Sequence, residues 1–274
     1  MKPHYLPLLF LGFWNFSVYG QIIGQTFGAQ SLSMGTIGTL TQTGFEAFNN
    51  PALLANIKNS SLSLVQTAPF LQKELNQSGI CYAKPNTRLP FGLGLIHQGN
   101  QYFNQQLVTI SAAKMLSKYL FIGVGFNTLL TQQYQIQSKA NFIGSLGMFF
   151  HLNEKWNFSS QLTNLNGSVL RLEKSELIPA IIKVGASFQY LDDLSFYGEL
   201  EQVMKLKSTS KFATVYQLKD KFRMQFAWKN NPQTLSFGMT YCSSKTNISL
   251  GSSHHKYLGF SPFVDFQFLL GTKK

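Results

Sequence analysis

The sequence predicts an all-β fold: a transmembrane antiparallel β-barrel of about 14 strands with an N-terminal plug-like segment. Three observations predict it. Residues 257–268 alternate at a period of two, with Leu258, Phe260, Pro262, Val264, Phe266 and Phe268 on one face and Tyr257, Gly259, Ser261, Phe263, Asp265 and Gln267 on the other. Successive side chains of an extended strand point to opposite faces of a sheet. Only 12% of the 274 residues are charged, beside 25 Phe, 11 Tyr and 22 Gly. Soluble domains average about a quarter charged, so much of this surface has no need of water. Finally, the links between alternating stretches are by turns short and long, the asymmetry of a barrel with short periplasmic turns and longer outer loops. An edge strand of a soluble β-sandwich would alternate as residues 257–268 do, but a sandwich would not keep that parity over a whole chain.

The chain opens with Lys2 and His4, an apolar run over 6–16, and then Ser17, Val18, Tyr19 and Gly20. This is the layout of a cleaved secretory signal peptide, residues 1–20, with the mature chain starting at Gln21 and no cysteine there to take a lipid. No run of about 18 apolar residues follows, which excludes a helical membrane protein. Export without a helical anchor, joined to strand alternation, predicts the outer membrane of a Gram-negative bacterium. Cys81 and Cys242 lie far apart, on strands that are not neighbours, so no disulfide is expected and their spacing holds no metal.

Residues 21–59 do not alternate and form the expected plug or hatch segment, ahead of a barrel over 60–274. Within it, Asn50 can cap a short helix that has Pro51 in its first position, where the missing N–H costs nothing. The run Phe48, Asn49, Asn50, Pro51, Ala52, Leu53, Leu54, Ala55 resembles the second N-terminal element of the long-chain fatty-acid transporter (FadL-like) superfamily of outer-membrane barrels. Gly28, Ala29, Gln30 and Met34, Gly35, Thr36 match that family's first element more loosely, since its arginine and second glycine are missing. The ending Leu258, Gly259, Phe260, Ser261, Pro262 resembles the closing strand of the Bacteroidetes branch that includes the type IX secretion proteins PorV and PorQ. The resemblance implies that Phe48, Asn49, Asn50, Pro51, Leu53 and Leu54 sit inside the barrel as a plug. A periplasmic arm is the other reading of the same residues.

From residue 60 onward the expected strands are 61–68, 78–84, 90–98, 105–114, 119–129, 140–151, 155–163, 178–190, 193–201, 210–217, 221–229, 233–242, 245–251 and 256–268. Every second strand leads into a short turn: Pro85-Asn86-Thr87, Leu116-Ser117-Lys118, Asn153-Glu154, Asp192-Asp193, Lys219-Asp220 and Ser243-Ser244. Longer links such as 164–177 and 203–208 fall between. An even count, as single-chain bacterial barrels have, puts both ends of the barrel on the periplasmic side.

The apolar faces are expected to meet lipid: Trp156, Phe158 and Leu162; Ile182, Val184, Ala186, Phe188 and Tyr190; Phe222, Met224, Phe226 and Trp228; Leu235, Phe237, Met239 and Tyr241. Trp156, Tyr190, Trp228 and Tyr241 read as interfacial girdle residues. Asn157, Ser159, Gln161, Lys183, Gln189, Glu199, Glu201, Arg223, Gln225, Thr240, Asp265 and Gln267 then face the lumen. A hairpin at Leu191-Asp192-Asp193 that pairs Tyr190 with Leu194 sets Lys183 opposite Glu201 as a lumen ion pair, a cross-strand contact worth about 0.2–1 kcal/mol where solvated. Such a lining suits a solute path, and equally a closed lumen whose polar groups bond to one another.

Basic residues read as an outer rim: Lys205, Lys207 and Lys211, then His254, His255 and Lys256, with Arg171 and Lys174 offset by Glu173 and Glu176. A cationic rim can pair with lipopolysaccharide phosphates; export and low charge density argue against nucleic acid. His254 and His255 lack a third ligand at useful spacing, so no metal site is expected. No Gly-x-Ser-x-Gly elbow and no phosphate-binding glycine loop occur. Glu199 and Glu201 share a strand face, but ion pairs with Lys183 and Arg223 explain them better than acid–base chemistry. Neither an enzyme nor a cofactor is expected, and no ligand-binding residue is nominated.

Two functions follow from the resemblance. One is an interaction or accessory barrel in protein secretion or envelope assembly, with secretion-system proteins as partners and outer-membrane lipid around it. The other is a transporter of hydrophobic, fatty-acid-like solutes, which leave through the barrel wall or past a displaced plug. Short connections leave little outer material for a deep capture pocket, which inclines the sequence toward the first.

Overall fold

The computed structural model describes residues 22–167, 169–171, 175–219 and 221–271. The expected signal peptide 1–20, Gln21, Glu173, Lys174, Asp220 and the side chains of Arg171 and Glu176 lie outside the described residues.

The wall is a closed antiparallel barrel of fourteen strands. In chain order these are β1 Ser60–Thr67, β2 Gln77–Lys84, β3 Phe91–Gly99, β4 Phe103–Met115, β5 Leu120–Gln133, β6 Ile136–His151 and β7 Trp156–Thr163. After a small hairpin, β8 Val169–Arg171 with β9 Ser175–Leu177, come β10 Ile181–Leu191, β11 Leu194–Val203, β12 Thr209–Leu218, β13 Phe222–Asn230, β14 Gln233–Cys242, β15 Thr246–His255 and β16 Gly259–Leu270. Each wall strand pairs with the next in sequence, β7 pairs with β10 across the hairpin, and β16 closes on β1 with Ser60 opposite Leu270 and Thr67 opposite Phe263. Closure follows from chemistry: in hydrocarbon an open edge would leave a row of backbone groups without partners. No helix among the described residues is long and apolar enough to cross a membrane.

Alternation sorts the side chains as the period of two requires. Phe158, Val184, Phe226 and Phe237 are exposed on the outside, while Ser159, Gln161, Gln225, Thr240 and Asp265 are buried within. Two strand boundaries differ from the sequence reading with consequences. Strand β15 runs to His255, so His254 and His255 belong to the wall. Lys211, which the sequence reading counted in the outer rim although it falls within the expected strand 210–217, lies on the inward face of β12 (Thr209–Leu218), opposite Glu199 and 1% exposed. The link over 164–177, expected as a plain loop, carries β8 and β9.

The core lies inside the barrel. Residues 22–57 occupy the lumen, with two short helices, α1 Ala29–Ser33 and α2 Glu46–Asn49, and a 3-10 turn over Pro51–Asn56. Ile22, Phe27, Phe45 and Phe48 pack with Val65, Ile96, Leu107, Leu129 and Ile143 of the wall. Met34, Ile37 and Leu53 pack with Phe121, Phe149 and Val215. Asn50 is extended (φ −160°, ψ 105°), its side chain accepts from Ala52 N at 3.1 Å, and Pro51 takes the first helical position.

Candidate functional site

The lumen is the site, and the inner segment meets its wall along its whole length. Residues 45–56 seat directly against β2 to β6. The Phe48 ring fills the gap that Gly94 leaves and stands edge-on to Phe27 at 5.2 Å. Pro51 and Ala52 lie so close to Gly123 that a Cβ there would overlap the Pro51 carbonyl, and Gly147 is closed off by Asn50 and Ala52 in the same manner. Leu54 packs with Ala83 and Ala113, and Leu53 with Phe121 and Phe149. Ser111 Oγ donates to Ala47 O at 2.8 Å and Gln161 Nε2 to Phe48 O at 3.0 Å.

Residues 22–44 also pack into the wall, with Ser33 against Gly238 and Leu40 against Gly185, and are gripped in addition by long polar side chains. Ile22 N donates to Gln105 Oε1 at 3.1 Å, and Ala29 N to Asp265 Oδ2 at 2.5 Å. Lys183 Nζ donates to Gly24 O at 2.8 Å and to Thr26 Oγ1 at 3.3 Å; Lys211 Nζ donates to Thr36 O at 3.1 Å. Thr39 donates to Glu199 Oε2 from N at 3.2 Å and from Oγ1 at 2.7 Å. The two stretches are tied by Asn49, whose amide exchanges bonds with Phe27 N and O at 2.9 and 2.7 Å, and by Asn50 Nδ2, which donates to Thr39 O at 2.9 Å.

The charged groups on β10, β11 and β12 form one buried cluster. Lys183 stands opposite Glu201 in the register, with 3.8 Å between Nζ and Oε2. Tighter contacts belong to Lys211, at 2.8 Å from Glu199 Oε1 and 2.7 Å from Glu201 Oε2. Arg223, expected to share the glutamates, donates to Gln217 Oε1 at 3.1 Å instead. Sequence reasoning missed Lys211 by counting it with the outer rim, although the expected strand 210–217 contains it. Its alternation with Ala213 and Val215, both buried, was the available signal.

Between Ile23, Phe27 and Phe48 of the inner segment and Leu107, Asn127, Ile143 and Lys183 of the wall is a cavity of about 20 Å³, room for about one water. At the end bearing the short turns, Leu40, Thr41 and Gln42 face a vestibule of about 790 Å³ rimmed by Lys118, His151, Asp192, Asp193 and Arg223. The described residues contain no cluster of three or more His, Cys, Asp or Glu side chains able to hold a metal ion.

No family model and no curated protein matches the chain. Solved structures do. The toluene transporter TbuX of Ralstonia pickettii aligns with a TM-score of 0.66 at 14% identity, over 90% of this chain and 99% of that one. The monoaromatic hydrocarbon channel CymD aligns at 0.65 and 13%, over 89% and 98%. A FadL homologue of Pseudomonas aeruginosa aligns at 0.66 and 10%, over 91% and 99%. At these identities the likeness is one of fold: a 14-strand barrel of the outer-membrane type, structurally like FadL and TodX.

Proposed function

We propose that this chain passes small hydrophobic molecules across the outer membrane of a Gram-negative bacterium, without catalysis, after export by a cleaved signal peptide. The observation that carries this reading is the apolar packing inside the wall: Ile23, Phe27, Phe48, Leu107 and Ile143 meet in the lumen, where a water-filled porin would present polar groups. The shared fold with toluene and hydrocarbon channels supports it. Residues 21–59 serve as the plug, with Phe48, Asn49, Asn50, Pro51, Leu53 and Leu54 as its seated part and Lys183 and Glu201 among the groups that hold the rest. Outer-membrane lipid covers the apolar exterior, and lipopolysaccharide phosphates meet Lys205, Lys207 and Lys256.

A second reading, an accessory barrel of the PorV and PorQ type in protein secretion, is favoured by the very short outer links at 100–102, 134–135, 231–232 and 256–258. Uptake separates the two. Cells with and without the chain are given N-phenyl-1-naphthylamine, a fluorescent hydrophobic amine that an intact outer membrane excludes. Faster entry with the chain is expected. Equal rates, with secretion proteins retained on the tagged barrel in mild detergent, would replace transport by the accessory role.

A further inference from the structure

We propose that the outer end of β4 and β5 is a saccharide-binding face: Tyr102, Asn104, Gln106, Gln132 and Tyr134 form a site for an uncharged oligosaccharide, independent of what the lumen passes. Register brings these residues together. Gln106 stands opposite Leu130 and Asn104 opposite Gln132, and just beyond them Tyr134 N donates to Tyr102 O at 2.7 Å. Alternation sends Gln106, Asn104 and Gln132 to the outward face that Ile110, Val108 and Phe126 occupy lower down. The two tyrosine rings continue that face. They meet edge-on, 5.8 Å apart with 76° between their planes, and are 58% and 61% exposed.

Height sets the surroundings of the face. Strand β5 has 14 residues; at about 3.4 Å per residue and a tilt of about 40° it rises about 36 Å, against an apolar band about 25 Å tall. Strands β1 and β2 have 8 residues each, so the wall nearby is lower. Ile110 with Phe126 and Val108 with Thr128 meet lipid. The amides and tyrosines above them stand beyond the hydrocarbon, at the level of the outer-leaflet sugars.

The chemistry of the face selects a neutral ligand rich in hydroxyl groups. Residues 98–106 and 131–138 contain no Asp, Glu, Lys or Arg, whereas the links over 68–76, 204–208 and 256–258 carry Lys73, Glu74, Lys205, Lys207 and Lys256. Lys139 stands opposite Thr131, whose side chain is buried, and so belongs to the inward side. A carboxamide offers donors and an acceptor side by side, the pattern that bridges two adjacent hydroxyls of a sugar ring. Tyrosine adds a ring face for the C–H groups of the sugar and a phenol for its hydroxyls. His97, opposite Gln106 on the same face, adds a ring donor and acceptor. Amides inside the barrel are committed, Gln161 to Phe48 O and Gln225 to Thr240 Oγ1; among the described residues those of Gln106 and Gln132 have no partner. The tip is fixed in advance. Asn100 Oδ1 accepts from Tyr102 N at 2.9 Å and from Phe103 N at 3.1 Å, so binding has little backbone freedom left to remove.

The probes are neutral oligosaccharides of the bacterium that carries the chain, taken as two pools and labelled with a fluorophore at the reducing end. One pool is released from the outer membrane by mild acid and phosphatase; the other is shed into the growth medium. Fluorescence polarisation follows their binding to the full-length barrel in detergent. At least one pool is expected to bind, the first if the ligand is a membrane-anchored glycan and the second if it is a soluble polysaccharide. Tyr102→Ala and Tyr134→Ala should each weaken binding at least about tenfold, and Gln132→Ala several-fold. Melting should not change, because these side chains are exposed. Raising salt from about 50 mM to about 500 mM should leave the affinity as it was, since no ion pair is involved. Failure of both pools to bind overturns the site. Binding that survives both tyrosine substitutions, or that salt abolishes, also overturns it and assigns the sugar to the basic links instead.

Discussion

Inside the barrel the Lys211 ammonium lies 2.8 Å from Glu199 Oε1, with 1% and 0% of the two side chains exposed. Breaking such a buried pair by removing one partner strands a charge and costs about 3–5 kcal/mol. Lys211→Met is therefore expected to lower the temperature at which the folded barrel loses its fast migration on unheated gels. Lys183→Met should cost less, because Glu201 keeps Lys211 at 2.7 Å. Equal losses from the two substitutions would contradict the assignment of Lys211 as the central cation.

At Gly123 the wall meets the backbone of the inner segment. A methyl group there overlaps Pro51 and Ala52 backbone, and overpacking of this kind costs about 1–3 kcal/mol. Gly123→Ala should lower the melting temperature of the purified barrel and expose residues 45–56 to protease. Gly198→Ala, whose Cβ would sit 3.9 Å from the Phe212 ring, should change neither.

Phe48→Ala removes the ring that fills the Gly94 gap and faces Phe27. Deleting a buried phenylalanine ring costs about 3–5 kcal/mol. The same deletion enlarges the lumen cavity, so the variant should bind a fluorescent fatty acid or naphthylamine more readily in detergent while melting earlier. Reduced binding would mean that the Phe48 ring itself contacts the solute.

Glu46, in α2 and outside the spanning strands, accepts from Thr43 N and Gly44 N through Oε1, while Oε2 is buried without a partner. Burial raises its pKa above the ordinary carboxylate value, against the lowering effect of those backbone N–H groups. A raised folded-state pKa contributes stability that is complete below the unfolded value and is lost as pH rises through the folded one. Melting temperature should thus fall from mildly acidic toward alkaline pH, and Glu46→Gln should flatten that slope. An unchanged slope in the variant would assign the pH dependence elsewhere.

Much of the wall was legible in the chain because a period of two is a local signal. Residues 257–268 sort onto two faces without knowledge of any neighbour, and all but Tyr257 and Leu258 lie in β16 (Gly259–Leu270), with Asp265 and Phe263 inward and Phe266 outward. Asn50 and Pro51 likewise announce a helical turn on their own, since a cap and a fixed φ act within three residues. Lys183 does stand opposite Glu201, but the turn differs from the expected one: Leu191, not Tyr190, pairs with Leu194, and a bulge between Gln189 and Leu191 restores the register.

What the sequence by itself determined is therefore the closed β architecture, the lipid-facing and lumen-facing sides of its strands, and the composition of the lumen. Only the tertiary structure decided which groups meet there. Lys211 joins Glu199 and Glu201 because the β11–β12 register sets it directly opposite Glu199, and that register depends on how the link over 204–208 closes, which turn signals do not resolve. Phe48 finds Gly94, and Pro51 finds Gly123, because separate strands, β3 and β5, are bent into one closed surface around them. Side-chain direction is set by neighbours in the chain, whereas partners across a lumen are set by register summed around the whole barrel, which no local pattern encodes.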